Sequence, residues 1–186
     1  MLAIIAARAG SNGLKNKNTL NLCGKPVIGH TIEHALKSKL ISKVIVTTDS
    51  QKIADISRSY GAEVPFLRPK RLAQDNSSIL EAFEHTLEYL KKKNLKYKNF
   101  VSLGACSPIR DRNDVDNAIK LFFKKKALTL ISVKENDKPI DWFFRRKKGN
   151  KLTKLTKTPM MNRQKHEKFF IPNGSIFIFN VKKIIQ

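Results

Sequence analysis

The chain has 186 residues, a length that suits one domain with a sizeable core. Hydrophobic residues make up 41% of it, which excludes an intrinsically disordered chain. Lys and Arg total 37 against 15 Asp and Glu, so the formal net charge is +22. Such a charge fits a polyanionic partner, either nucleic acid or anionic lipid, or simply a solvated lysine-rich surface.

The distribution of the lysines favours the solvated surface. They occur in doublets and triplets, such as 91–93, 124–126 and 147–148, where helix ends and turns are expected. No aromatic RNA-binding motif, zinc-ligand spacing or long basic arm accompanies them. No apolar run approaches the ~18 residues of a membrane span, and the first residues lack the basic start of a signal peptide. We expect a cytoplasmic protein.

The first elements in chain order are a strand, a helix and a second strand. Residues 2–7 are a short apolar run, which predicts a buried strand. Pro26 suits the first turn of a helix, because its missing N–H would have no partner there. Apolar residues then recur at helical spacing at Ile28, Ile32, Ala35 and Leu36. Residues 43–48 are β-branched and apolar, and predict a second buried strand.

Two further helices and a short strand follow. Ser50 can cap a helix that Gly61 closes. Residues 64–67 predict a short strand that ends before an Arg-Pro pair. Ser78 and Glu81 have capping-box spacing and open a helix with Phe83, Leu87 and Leu90 on one face.

The alternation continues and sets the fold class. Residues 100–103 predict a strong strand, Asp111 a helix start, and residues 127–133 another strand. Alternating strands and helices predict an α/β domain of three layers with a mostly parallel sheet. Beyond residue 137 the pattern changes to an antiparallel hairpin or flap within 137–170, and residues 169–179 supply a final strand.

The loop after the first strand has the composition of a phosphate-binding loop. Gly10 and Gly13 let the backbone approach a ligand closely. Arg8, Lys15 and Lys17 supply charge for phosphate oxygens. Ligands of open α/β sheets bind beyond the carboxyl ends of the strands, so this position favours a nucleoside triphosphate. An ordinary solvated loop would give the same composition, and neither the Walker A nor the G-x-G-x-x-G spacing is present.

Longer motifs resemble one enzyme family. ARAGSNGLKNKN at 7–18, followed by LCGKPVIGHTIEHAL at 22–36, is similar to the opening of the acylneuraminate cytidylyltransferases, which activate nine-carbon acidic sugars with CTP. Further stretches agree in order and spacing, namely VIVTTDS at 44–50, YGAEVPFLRP at 60–69, LAQD at 72–75, SPIR at 107–110 and PNGSIF at 172–177. The resemblance covers nearly the whole chain. It implies a Rossmann-like, nucleotide-diphospho-sugar transferase type of fold in a single domain, 1–186, with a small β-flap insert at about 137–170 for dimerisation.

The resemblance also implies a reaction and a set of site residues. The anomeric hydroxyl of the sugar attacks the α-phosphate of CTP, and pyrophosphate leaves. Arg8 and Lys17 are implied as the catalytic cations that hold the triphosphate. Nucleotide binding is implied for Ala6, Ala7, Arg8, Ser11, Asn12, Gly13, Lys17, Asn18 and Arg68. Sugar binding is implied for Ser107, Arg163, Gln164 and Asn173, with Arg163 on the sugar carboxylate.

Two acidic residues near the site are interpreted differently. Asp49 stands at a strand end, where a carboxylate could touch a ligand or a metal, but Asp49-Ser50 also suits a helix cap. We favour the cap for Asp49 and a loop-organising role for Asp75.

Departures from the family pattern concern the sugar pocket and the metal. Asn12 replaces a usual Lys, Gly104-Ala-Cys-Ser-Pro108 replaces Gln-Pro-Thr-Ser-Pro, Ile171 replaces a frequent Arg, and Phe177 replaces a frequent Tyr. These changes are compatible with a legionaminic- or pseudaminic-type sugar. An Asp-rich stretch resembling I-D-I-D-T, which holds magnesium in the family, is absent from this sequence. Mg²⁺ is therefore expected from the resemblance, but its ligands are unknown.

These observations predict a homodimeric CTP-dependent cytidylyltransferase that acts on a nonulosonic acid. The alternatives are a nucleotidyltransferase for another sugar and a truncated or catalytically degenerate paralogue. A basic nucleic-acid-binding protein is a more remote alternative, motivated by the net charge of +22.

Overall fold

The computed structural model describes residues 1–10, 13–157 and 167–184. Their strands and α-helices, in chain order, are β1 (Leu2–Ala6), β2 (Asn21–Leu22), β3 (Lys25–Pro26), α1 (Val27–Lys37), β4 (Lys43–Thr47), α2 (Gln51–Ser59), α3 (Ile79–Lys92), β5 (Asn99–Leu103), α4 (Asp114–Lys124), β6 (Thr129–Glu135), β7 (Phe144–Arg146), β8 (Leu152–Lys154) and β9 (Phe170–Asn180). Within these residues, no helix is both long enough and apolar enough to cross a lipid bilayer.

The central sheet has five strands in the order β4-β1-β5-β9-β6. Strand β1 pairs in parallel with β4 on one side and with β5 on the other. Strand β9 runs antiparallel to β5, with Val101 opposite Ile178. The carboxyl ends of β1, β4 and β5 therefore lie at one edge of the sheet, where ligands of such folds bind.

Two apolar clusters, one on each face of the sheet, make the three layers. One cluster joins β-strand residues such as Ile5 and Val46 to side chains of α1, α2 and α4. The other joins Leu2, Ile4 and Phe100 to the buried face of α3, which carries Phe83, Leu87 and Leu90. The prediction of a three-layer α/β fold with a mostly parallel sheet is confirmed.

Most of the helix starts and ends predicted from local sequence signals are present in the structure. Ser50 caps α2, where its Oγ accepts a hydrogen bond from the backbone N–H of Ile53 at 3.3 Å. Ser78 caps α3 in the same way through Leu80 N at 3.2 Å. Gly61 adopts φ +90°, the left-handed conformation that ends helices.

Three expectations differ from the structure. Residues 64–67 do not form a strand; that region makes only isolated parallel bridges, at Glu63 with Ile45 and at Leu67 with Thr48. Pro65 has no N–H to donate, which interrupts a ladder there. Helix α4 begins at Asp114 rather than at Asp111, whose own N–H is bonded to the Asp114 carboxylate at 2.9 Å. Leu36 is 48% exposed rather than part of the buried face of α1.

The chain divides into two compact units. The first comprises residues 1–131 and 174–186, and the second comprises residues 132–173. The second unit contains the β7–β8 hairpin, in which Arg145 lies opposite Thr153. The flap expected at 137–170 lies inside this second unit.

Candidate functional site

The opening loop is held at the carboxyl end of β1 by side chains from other parts of the chain. Ala9 donates its backbone N–H to Asp49 Oδ1 at 2.9 Å. Asn18, which is buried, donates from Nδ2 to the carbonyl of Arg8 at 3.1 Å. The thiol of Cys106 donates to Asn18 Oδ1 at 3.1 Å. These contacts fix where the Arg8 side chain begins.

A cleft of about 310 Å³ opens beside this loop. It brings together Arg8 and Arg68, which are separated by sixty residues of sequence. The lining residues are Ala6, Arg8, Arg68, Leu72, Gln74, Asp75, Ser77, Ser78 and Ile79. Two guanidinium groups at the carboxyl end of a parallel strand form a site suited to an anionic ligand.

Arg68 is the unusual member of the cleft. It is only 6% exposed, and neither its Nε nor its Nη2 has a hydrogen-bond partner among the described residues. Its nearest countercharge is Asp49, with Nη2 and Oδ1 separated by 3.9 Å. Burial lowers the pKa of the guanidinium, Asp49 raises it, and the charge of Arg8 lowers it. A buried cation with unsatisfied donors is costly for the free protein, and a ligand that accepts from them would remove that cost.

Arg8 is held differently. Its Nη1 forms an ion pair with Asp75 Oδ1 at 2.7 Å, and the two side chains are 33% and 64% exposed. Exposed pairs of this kind contribute at most about 1 kcal/mol. A phosphate group could therefore take the place of the Asp75 carboxylate at Arg8 with little loss. The loop-organising role expected for Asp75 agrees with this contact.

Asp49 does more than the sequence suggested. The cap of α2 is provided by Ser50, while the Asp49 carboxylate binds the N–H of Ala9 and lies near Arg68. Asp49 therefore links the opening loop to the buried arginine rather than capping the helix.

The structure places the other expected nucleotide-binding residues around the same loop. Ala6 lines the cleft, and Ala7 is buried in the apolar cluster that contacts α1, α2 and α4. Lys17 is half-buried and opens a short 3₁₀ turn at Lys17–Thr19, but it is not among the residues that line the cleft. Gly13 is exposed. Ser11 and Asn12 lie outside the described residues.

Two of the four expected sugar-binding residues, Ser107 and Asn173, are among the residues that the structure describes. Ser107 follows β5, where its N–H donates to the carbonyl of Gly104 at 3.1 Å. Asn173 belongs to the second unit, where its Oδ1 accepts a hydrogen bond from Ser132 Oγ at 2.6 Å. Arg163 and Gln164 lie outside the described residues. Their roles remain predictions.

Arg110, to which the sequence analysis gave no role, donates four hydrogen bonds to other described residues. Its Nε donates to Ser175 Oγ at 3.0 Å, and Nη1 donates to Thr31 Oγ1 at 3.1 Å. Nη2 donates to the carbonyls of Gly104 at 2.9 Å and Ser175 at 3.0 Å. Burial lowers the pKa of Arg110 to about 10, and Asp114 partly opposes that shift. Arg110 therefore joins the end of β5 to β9 and α1. The SPIR motif at 107–110 contains it, but only tertiary contacts show this use.

A tertiary contact also explains why glycine occupies position 104. A Cβ at this position would lie 2.1 Å from the carbonyl oxygen of Gly174. Any larger side chain at this position would meet the same backbone, so the close approach of the two chain segments requires glycine here.

We expect Gly104→Ala to lower the free energy of unfolding by about 3 kcal/mol, because the added methyl group meets backbone that cannot rotate away. Chemical denaturation of the purified variant measures this. Gly10→Ala is the matched control, since a Cβ at Gly10 meets nothing within 4 Å. Equal stability of the two variants would show that the contact between Gly104 and Gly174 is not tight.

The described residues do not fit a protein-bound metal ion. They contain no group of three or more His, Cys, Asp or Glu side chains that could hold one. The two acids nearest the cleft, Asp49 and Asp75, face arginines instead. Mg²⁺ usually needs one or two free carboxylates together with substrate phosphates. We therefore assign no chemical step to a metal.

Comparisons with known proteins agree with this geometry. N-acylneuraminate cytidylyltransferase of Escherichia coli O18:K1:H7 is 43% identical over 140 residues, which cover 75% of this chain and 32% of that protein. CMP-N,N'-diacetyllegionaminic acid synthase of Legionella pneumophila is 33% identical over 187 residues, which cover 100% of this chain and 80% of that protein. The chain thus spans less than half of the first relative and most of the second.

A solved structure supports the fold. CMP:2-keto-3-deoxy-manno-octonic acid synthetase complexed with CTP superposes with a TM-score of 0.69 at 19% identity, covering 98% of this chain and 75% of that one. The model of the cytidylyltransferase family matches residues 2–173. The resemblance found in the sequence motifs is confirmed, and this chain belongs to the cytidylyltransferase family.

Proposed function

We propose that the chain transfers CMP from CTP to a nine-carbon acidic sugar of the sialic, legionaminic or pseudaminic type and releases pyrophosphate. One observation supports CTP binding above all. Arg8 and Arg68 share the cleft at the carboxyl end of β1, and Arg68 keeps buried donors that have no hydrogen-bond partner among the described residues. A bound nucleotide supplies acceptors for such donors.

The proposed chemistry relies on position and charge. The anomeric hydroxyl oxygen of the sugar forms a bond to the α-phosphorus of CTP, and the bond from that phosphorus to the bridging oxygen of pyrophosphate breaks. The hydroxyl proton leaves to solvent or to the released pyrophosphate. Arg8 and Lys17 would hold the triphosphate, and Arg68 would reach the ribose and base. Fixed cations that face developing negative charge lower the barrier of such a step.

The sugar side of the proposal rests on the motifs and on the names of the relatives. Ser107, Gln164 and Asn173 are proposed to contact the sugar, together with Arg163. The guanidinium fork of Arg163 suits the sugar carboxylate. Since Gly104 has no side chain, the sugar contacts there would differ from those of relatives that carry Gln. We also propose a homodimer formed through about 137–170, a cytoplasmic location, and Mg²⁺ that arrives with CTP.

Pyrophosphate release from CTP and Mg²⁺ tests the proposal. The purified chain is incubated with each of a panel of nonulosonic acids, and with ATP, GTP or UTP in place of CTP. Release that requires CTP and one of these sugars is expected. Release with another nucleotide, or with a neutral sugar alone, would contradict the proposal and favour a different nucleotidyltransferase.

Arg8→Ala should lower this turnover by about a hundredfold or more, because one fixed cation at the triphosphate is lost. Arg58→Ala is the matched control. Arg58 forms an ion pair with Asp55 at 3.0 Å on the exposed side of α2, much as Arg8 does with Asp75. Equal turnover by the two variants would exclude Arg8 from the catalytic site.

A further inference from the structure

Half of the net charge gathers on one surface away from the cleft. Three segments, 90–98, 119–128 and 180–184, contain eleven lysines and no Asp or Glu. These lysines are Lys91, Lys92, Lys93, Lys96, Lys98, Lys120, Lys124, Lys125, Lys126, Lys182 and Lys183. We call the surface formed by the three segments the amino-end face, because it lies where the parallel strands β1 and β5 begin.

Backbone hydrogen bonds place the three segments side by side. The N–H of Val181 donates to the carbonyl of Lys98 at 2.9 Å. The N–H of Asn180 donates to the carbonyl of Leu128 at 3.0 Å. The end of β9 therefore lies between the start of β5 and the segment that follows α4. The lysines of all three segments belong to one continuous surface within the first unit.

The charge of this face is not neutralised locally. All eleven lysines are exposed. None of them forms an ion pair with a carboxylate in the part of the chain that the structure describes. A surface with this density of free ammonium groups attracts a polyanion over about a Debye length.

Apolar side chains stand between the lysines. Leu95, Leu121, Phe123 and Leu128 are 41%, 48%, 55% and 53% exposed. Phe123 also lines a groove of about 540 Å³, together with Leu40, Tyr97, Ile119 and the lysines Lys96, Lys98 and Lys120. The face thus combines exposed apolar groups with a surrounding field of positive charge.

We propose that the amino-end face docks on the surface of an anionic lipid membrane. Lysine ammonium groups are attracted to a negatively charged bilayer, and exposed Leu and Phe side chains enter the interface between headgroups and acyl chains. Nucleic acid is the weaker fit. The three segments contain no Arg for two-pronged contacts to phosphates or bases, and nucleic-acid phosphates offer no apolar phase to Leu95 or Phe123.

The position of the face allows docking without blocking the cleft. Arg8 and the cleft lie at the carboxyl end of β1, whereas the amino-end face lies at the other end of the same strands. A five-residue strand separates the two ends by roughly 16 Å. A docked protein would keep the cleft open to CTP, and this inference does not depend on the proposed function.

Vesicle co-sedimentation of the full chain tests docking. Vesicles of phosphatidylglycerol and phosphatidylcholine in equal parts are compared with vesicles of phosphatidylcholine alone. Binding to the anionic vesicles that weakens as salt is raised is expected. The variant in which Lys91, Lys92, Lys124 and Lys125 are replaced by Gln should bind at least about a hundredfold more weakly.

The matched control replaces four exposed lysines of the second unit, Lys147, Lys148, Lys151 and Lys154, by Gln. It has the same net charge and should keep most of the binding. Phe123→Ser should weaken vesicle binding and leave binding to a DNA duplex unchanged. Equal losses in the two quadruple variants would overturn the proposal, because net charge alone would then explain binding. Tighter binding to DNA than to anionic vesicles, or no vesicle binding at low salt, would also overturn it.

Discussion

Arg110→Met should lower the free energy of unfolding by about 3–5 kcal/mol, because it removes four hydrogen bonds donated by one buried guanidinium. The hydroxyls of Thr31 and Ser175 and the carbonyls of Gly104 and Ser175 would each lose one donor. The Gly104 carbonyl keeps the N–H of Ser107, and the Ser175 carbonyl keeps the N–H of Gly104. A hydrogen bond from a charged donor contributes about 1.5–3 kcal/mol. Denaturant unfolding followed by circular dichroism measures the change.

Arg112→Met is the control for the Arg110 substitution. Arg112 is exposed two residues further along the chain, so its replacement should change stability by less than about 0.5 kcal/mol. If Arg110→Met unfolded at the same denaturant concentration as Arg112→Met, the junction between β5, β9 and α1 would not depend on Arg110.

Arg68→Met should weaken CTP binding without lowering the stability of the free protein. CTP affinity should fall by about 10–100-fold, the loss expected for hydrogen bonds from a charged donor. Stability without CTP should stay the same or rise, because the wild-type guanidinium is buried with two donors that lack acceptors among the described residues. Calorimetric titration of CTP and denaturant unfolding, done on the same preparation, measure both quantities.

The two buried arginines therefore distinguish support from binding. Arg110 has hydrogen-bond partners on three of its nitrogens and is expected to act on stability. Arg68 has two donors without partners in the described part of the chain and is expected to act on the ligand. If Arg68→Met lowered stability as much as Arg110→Met and left CTP affinity unchanged, Arg68 would be a structural residue. The main support for CTP binding in the cleft would then be lost.

Much of the fold could be predicted because local signals agree with the tertiary arrangement. The apolar runs at β1, β4 and β5 are buried on both faces, which is typical of parallel strands between helices. The caps Ser50 and Ser78 act within three residues of themselves, so sequence shows them. The strand predicted at 64–67 does not form although its residues favour one, because Pro65 prevents continuous pairing and leaves two isolated bridges.

The site was less predictable from residues alone. The glycines and lysines of the opening loop fit a solvated loop equally well, and family resemblance was needed to single out Arg8 and Arg68. The structural roles of Arg110 and Gly104 were not predicted, because they depend on contacts with residues about 65–79 positions away in sequence. These residues are Ser175, Thr31 and Gly174. Asp49 was given to the helix cap because its bond to Ala9 spans forty residues.

The most direct test is calorimetric titration of CTP into the wild-type chain, with GTP as the comparison nucleotide. The account predicts that CTP binds, that GTP binds more weakly, and that Arg8→Ala and Arg68→Met each weaken CTP binding while Arg58→Ala does not. A folded wild-type chain that binds no CTP, or binds it equally well without Arg8 and without Arg68, would contradict the account.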